Sequence, residues 1–214
     1  IRDQYNFAFI EVPNLYKETI DMMMRMQPQV KKLIFIADEL YTNRYLDKLI
    51  HSYILAKYPT LAYEWLVGNN QNADYLQEYL VSRDLSIGLL FSSWFYERES
   101  VHGFPMLISG DTRMISASPH PVFALRSAYL QDGVLGGYFP DGDQVRKALT
   151  SLVVKMLEGE SMRDIPFIYS TKSYPIVNYS QLSQDRLAVE RCPEGTKFID
   201  KPKTLWQQYR WQII

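Results

Sequence analysis

Two short, almost uninterrupted apolar runs constrain this chain most: KLIFIA at residues 32–37 and LSIGLLF at residues 85–91. A strand with one wet face alternates apolar and polar residues. A run without alternation belongs to a strand covered on both faces. Such strands sit in the middle of a mostly parallel sheet with helices layered on each side.

The segments around the two runs supply those helices. Residues 15–26, LYKETIDMMMRM, carry Leu15, Ile20, Met23, Met24 and Met26 at helical spacing, and Gln27 and Pro28 stop the helix. Methionines at that spacing beside a sheet are core packing rather than a soft ligand set. Thr42 or Asn43 is expected to cap a helix that runs to about Tyr58, with Pro59 beyond it. Residues 61–66 read as a strand, 68–70 as a loop, 73–81 as a helix and 105–108 as a short strand. A further strand is expected at residues 5–12. The repeated β-α-β-α pattern predicts an α/β fold, a doubly wound parallel sheet with right-handed crossovers.

Residues 134–168 are the best punctuated unit. Val134 and Leu135 lead into Gly136 and Gly137, and Pro140, Asp141 and Gly142 turn the chain. Asp141 or Asp143 can cap the next helix, because a short carboxylate accepts from free first-turn amides. Val145, Leu149, Leu152, Val153, Met156 and Leu157 share one face, expected to be packing scaffold. Gly159 ends the helix, and Pro166 keeps the following segment extended. Asn178 is expected to cap a short helix, YSQLSQ, and residues 192–203 read as a turn and linker with two prolines.

Charge narrows the function classes. Lys and Arg number 23 against 24 Asp and Glu, a formal net charge of −1. Nucleic-acid binding needs a basic patch that this balance does not favour. The single cysteine, Cys192, allows neither a disulfide framework nor a CxxC metal pair within the chain. His51, His102 and His120 show no metal-ligand spacing, and no GxSxG, Walker or GxGxxG motif occurs. No catalytic residue, metal or cofactor is expected. There is no leader-like segment and no apolar run of membrane-spanning length, and a chain opening on Ile1 reads as a piece of a longer protein.

Ligands of doubly wound sheets bind beyond the carboxyl ends of the strands. The candidate loops there are residues 38–41, 68–71, 92–96 and 109–113. Expected ligand contacts are Asp38, Tyr41, Ser92, Trp94 and Asp111. Gly136 and Gly137 could let backbone approach a ligand.

Several stretches together resemble the ABC-transporter substrate-binding-protein-like family of the type I periplasmic-binding fold. The residues that carry the resemblance are Phe104 to Leu107, Gly136 and Gly137, Met156 to Glu160, Asp164 to Pro166, and Asn178. The tail PEGTKFIDKPKTLWQQYRWQII is similar to the stretch that joins such a domain to the first membrane helix of Bacteroides-type two-component sensor histidine kinases. Pro193, Gly195, Pro202, Trp206, Tyr209, Arg210 and Trp211 carry that similarity. Tryptophan and tyrosine beside arginine suit an interfacial belt, although a terminal helix docked on the domain reads the same way.

The resemblance implies a type I periplasmic-binding-protein-like sheet with a flavodoxin-like lobe, the first lobe partly or wholly missing and the cleft therefore incomplete. In that arrangement Gly136, Gly137 and Tyr138 would sit near the hinge side of the cleft, with Gly137 and Tyr138 among the ligand contacts. Residues 1–191 would form an extracytoplasmic sensor domain, and 192–214 a linker and juxtamembrane segment entering the membrane after Ile214. The domain would sense a small molecule, or a protein carrying one, at the periplasmic side of the inner membrane, without catalysis of its own. Phosphoryl transfer would belong to cytoplasmic parts of the parent, and a homodimer is left open. The alternatives are the solute-binding protein of an ABC transporter and an enzyme on a doubly wound sheet.

Overall fold

Ile34 and Phe35, neighbours in the first apolar run, are both fully buried, on opposite faces of one sheet. The computed structural model describes residues 7–67, 84–99, 105–109, 115, 118–169 and 172–202. Its strands are β1 (Ile10–Glu11), β2 (Lys32–Ala37), β3 (Ala62–Val67), β4 (Ile87–Ser93), β5 (Phe95–Glu99) and β6 (Pro105–Ser109). They continue with β7 (Val122–Ala124), β8 (Gly136–Pro140), β9 (Ile168–Tyr169), β10 (Ser173–Asn178) and β11 (Lys197–Ile199). The helices are α1 (Tyr16–Met26), α2 (Tyr41–Lys57), α3 (Gly142–Leu157) and α4 (Tyr179–Gln184).

Seven strands form the main sheet, in the order β11-β10-β8-β7-β4-β2-β3. From β3 to β8 all neighbours are parallel. These five strands follow the 2-1-3-4-5 order of flavodoxin-like sheets, whose direction of winding reverses between β2 and β4. The α/β class with a mostly parallel sheet is thus the one the apolar runs predict.

One face of the sheet carries Leu33, Phe35, Leu90 and Phe123, covered by α1 and α2. Ile20, Met22, Met23 and Met26 of α1 are at most 1% exposed, so the methionine cluster is core. A Cβ on Gly88 would lie 2.9 Å from the Met23 sulfur, which is why that strand position is bare. Asp21 ties the two helices together. It accepts from Tyr53 Oη at 2.6 Å, Tyr58 Oη at 2.7 Å and Lys57 Nζ at 2.6 Å. Burial pushes the Asp21 carboxyl up, but these donors outweigh it and hold it below its ordinary value. The other face carries Ile34, Ile36, Leu89, Phe91 and Phe139 with Trp94, Ile115 and Leu130.

The structure corrects several local expectations. Residues 92–96 are not a loop: Ser92 and Ser93 complete β4, and β5 pairs antiparallel with β6 in a separate hairpin. Residues 105–109 therefore leave the main sheet, because five residues link them to a partner already next to them in sequence. β10 runs antiparallel to β8, and the expected linker holds β11, parallel to β10 at the sheet edge. The first strand shrinks to β1, which pairs with β9 rather than the main sheet. Neither Thr42 nor Asn43 caps α2, whose N-cap is Leu40. Asp141 and Asn178 do cap α3 and α4: Asp141 Oδ1 accepts from Asp143 N at 3.0 Å, and Asn178 Oδ1 from Gln181 N at 3.1 Å. The expected loop at 68–71 and helix at 73–81 lie outside the described residues.

The largest departure is α3. Its apolar face is not packing scaffold. Only Leu152 is buried, while Leu149 is 55%, Val153 43%, Met156 53% and Leu157 78% exposed. α3 lies beside β1 and β9, away from the main sheet, in a small cluster of Leu152, Met162 and Ile165 with Ala8, Ile10 and Ile168. That cluster covers one flank of the helix and leaves the rest bare.

Candidate functional site

The sheet reverses its winding where β2 and β4 end, and a polar net closes that point. The register between them shifts after Ile36, which faces Phe91, so that Ala37 faces Ser93. Ser92 is the extra residue, a bulge that re-aims its side chain. Asp38, fully buried, follows β2 directly. Its Oδ1 accepts from Leu40 N at 3.0 Å and Asn43 Nδ2 at 2.7 Å. Its Oδ2 accepts from Ser93 Oγ at 2.8 Å and Phe95 N at 3.1 Å. Asn43 Nδ2 also donates to Ser93 Oγ at 2.9 Å, and Ser92 Oγ donates to Asn43 Oδ1 at 2.8 Å. Four donors on one carboxylate make its burial tolerable.

Above this net lies a cleft of about 560 Å³. One side is the segment entering α1, with Val12, Asn14 and Leu15. The first turns of α2 add Thr42, Asn43 and Leu46, and β4 adds Ser92. Across from them stand Leu125, Arg126 and Ser127 after β7, and Tyr138 on β8. Tyr138 N donates to Thr19 Oγ1 at 3.0 Å, which locks β8 against α1 at the cleft. Burial, then the nearby Glu18 carboxylate, raises the Tyr138 phenol above its ordinary value, so it stays a neutral donor. Neither α1 nor α2 is capped by the side chain of its N-cap residue. The lining is thus a partly apolar hollow with hydroxyl and amide groups and one guanidinium, suited to holding a small molecule.

The seven expected contacts separate sharply. Ser92 and Tyr138 line the cleft. Asp38 lies beneath it, its oxygens committed to the net. Tyr41 is 84% exposed and not part of the lining. Trp94 is buried on the far face beside Ile34 and Phe91. Gly137 approaches backbone rather than open space, since a Cβ there would strike the Ala124 carbonyl. The same holds for Gly136 against the Ile176 carbonyl, so the doublet threads between β7 and β10. Asp111 lies outside the described residues, as do Trp206, Tyr209, Arg210 and Trp211. Arg126 and Ser127 were not expected. They follow β7, whose three residues are too few for an apolar run to announce the strand. Among the described residues, no group of His, Cys, Asp and Glu is placed to hold a metal, and no helix is long and apolar enough to cross a membrane.

No family profile and no curated protein sequence matches the chain. Solved structures do. The chain is similar to an ABC domain in complex with L-Trp from Streptococcus pneumonia, with TM-score 0.64, 14% identity, and coverage of 90% of this chain and 64% of that one. It is similar to a ligand-free, open substrate-binding protein with adhesive properties from Clostridium difficile, with TM-score 0.60, 15% identity and coverage of 91% and 63%. A conserved domain protein from Vibrio cholerae gives TM-score 0.65, 13% identity and coverage of 92% and 64%. At these identities the likeness is one of fold, and the chain spans less than two thirds of each neighbour.

Proposed function

We propose that this chain forms one wall of a cleft that binds a small solute, as a solute-binding protein does, without chemistry of its own. The observation that carries this is position. A cleft of about 560 Å³ stands over the reversal point of a 2-1-3-4-5 sheet, on a floor of fully bonded polar groups. Support comes from neighbours solved with L-Trp or described as substrate-binding. The bare face of α3 supports a two-lobed arrangement in which further α/β structure packs there and supplies the opposite wall. In this reading Ser92, Tyr138, Thr42 and Asn43 touch the solute, and Asp38 holds the groups that do.

The test is a thermal-shift titration of the chain with L-tryptophan, the other amino acids and simple sugars at millimolar concentrations. A solute at ten times its Kd stabilises the native state by roughly 1.4 kcal/mol. The wild type should shift with at least one solute. Ser127→Trp, which fills the cleft from an exposed position, should keep the unliganded Tm and lose the shift. A shift that survives Ser127→Trp sinks the cleft as the site.

A second reading follows from the tail. Trp206, Tyr209, Arg210 and Trp211 suit the outer edge of a membrane, which favours a periplasmic sensor whose solute alters a histidine kinase beyond Ile214. Such a sensor needs a solute that prefers one of two states, not one that merely binds tightly. A parent sequence with about 20 apolar residues just after Ile214 supports it. Co-purification with a transporter permease favours the transporter reading instead.

A further inference from the structure

Arg126 is the only charged side chain among the described residues that line the cleft. It is exposed there, and its guanidinium makes no ion pair or hydrogen bond with any described residue. Guanidinium groups left unpaired in a concave site match oxyanions, which accept two parallel N–H bonds from the fork. No carboxylate is in the lining. Asp38 beneath it is fully buried and already accepts four bonds, and Glu18, whose charge reaches Tyr138, stands outside the lining. The apolar part of the lining includes Val12, Leu15, Leu46 and Leu125 with the half-buried Tyr138, and its other polar side chains are uncharged hydroxyl and amide groups.

We infer that the solute this wall selects is a small amphipathic oxyanion: an apolar body in the Leu15, Leu46 and Leu125 hollow, with its anionic group on Arg126. The wall binds no ammonium group. This rests on the solute-binding reading above and names the class of solute. Carboxylates and phosphate monoesters share the required chemistry.

The experiment measures binding to the full chain by calorimetry, with 3-phenylpropanoate, hexanoate and phenyl phosphate as oxyanions. The neutral amides 3-phenylpropanamide and hexanamide are the matched controls. Each acid should bind at least roughly ten-fold more tightly than its amide, because a charge-assisted bond is lost with the charge. Arg126→Gln should erase that difference and Arg126→Lys should restore part of it. Arg163→Gln, an exposed change of equal charge outside the cleft, should leave it intact. Tighter binding of phenyl phosphate than of the carboxylates assigns the anion as a phosphate monoester, and the reverse as a carboxylate. Acids and amides that bind alike, or an acid that binds Arg126→Gln undiminished, overturn the oxyanion inference while solute binding stands. If no member of any pair binds, the oxyanion inference falls, and the titration with amino acids and sugars decides the solute-binding reading by itself.

Discussion

α1 and α3 carry the same kind of sequence and meet opposite fates. Both are amphipathic, with large apolar residues at helical spacing. α1 buries Ile20, Met22, Met23 and Met26 almost completely, clasped to α2 through Asp21. α3 buries Leu152 and leaves five apolar residues, Leu149, Val153, Val154, Met156 and Leu157, at least 43% exposed. The difference is what each helix lies on. α1 has a seven-stranded sheet beneath it, whereas α3 has two strands of two residues each, β1 and β9. A helical pattern states which face is apolar, not what covers it.

The sharpest way to break the comparison is to empty both regions. Phe35→Ala, under α1 and α2, should cost about 3–5 kcal/mol in urea unfolding, through lost transfer energy and the cavity left behind. Leu149→Ala on α3 should stay within about 0.5 kcal/mol, the usual range for exposed sites. If the two costs are similar, the α3 face is covered in solution and the contrast collapses.

The next effect belongs to the joint between the regions. Gly137→Ala should destabilise by roughly 1–3 kcal/mol or more, since its Cβ meets the Ala124 carbonyl, which β-strand pairing holds in place. An unchanged denaturation midpoint would mean that β7 and β8 are not so tightly apposed. Capping sharpens the comparison at a smaller scale. Asp141→Ala at α3 and Asn178→Ala at α4 should each cost about 1 kcal/mol. The two losses should be similar, because each side chain also holds a second partner: Asn178 Nδ2 donates to Asp200 Oδ2 at 2.9 Å, and Asp141 Oδ2 accepts from Tyr174 Oη at 3.1 Å. No loss at either site would show that its cap is idle.

The last effect is one of pH. Asp185 follows α4 on the packed side, and burial lifts its carboxyl to about 6 against a bond from Gln181 that pulls it down. Folding therefore favours its protonated form. That contribution is fully present below the ordinary value of 3.8 and is lost as pH rises through about 6. Asp185→Asn should flatten the stability profile over that window. A wild-type profile already flat between those values would refute the raised carboxyl.

Much of the fold was legible because its signals are local. The runs at 32–37 and 85–91 became β2 and β4, and the residues at 16–26 became α1. Asp141 and Asn178 cap the helices that follow them, since a cap needs only neighbours one turn away. The candidate site was legible in outline: it does lie at the ends of β2 and β4, with Ser92 and Tyr138 in its lining. Asp38 and Trp94 stand at the same strand ends but turn inward, one to a net of donors and the other to the far core. Which way a residue turns at a strand end depends on the register shift after Ile36, and no local pattern announces it. Arg126 escaped notice because β7 is recognised only by its partners β4 and β8.

By itself, then, the order of apolar runs, helical faces and turn residues determined an α/β chain with a mostly parallel sheet, and pointed to the carboxyl ends of the strands, where the cleft lies. Tertiary structure alone decided the rest. It sent residues 105–109 into a hairpin, drew residues 197–199 from an apparent linker into the sheet, squeezed Gly136 and Gly137 between neighbouring backbones, and left the α3 face bare. The physical reason is range. Periodicity, caps and turns act within about a helical turn or a strand, whereas pairing, close approach and burial depend on partners distant in sequence.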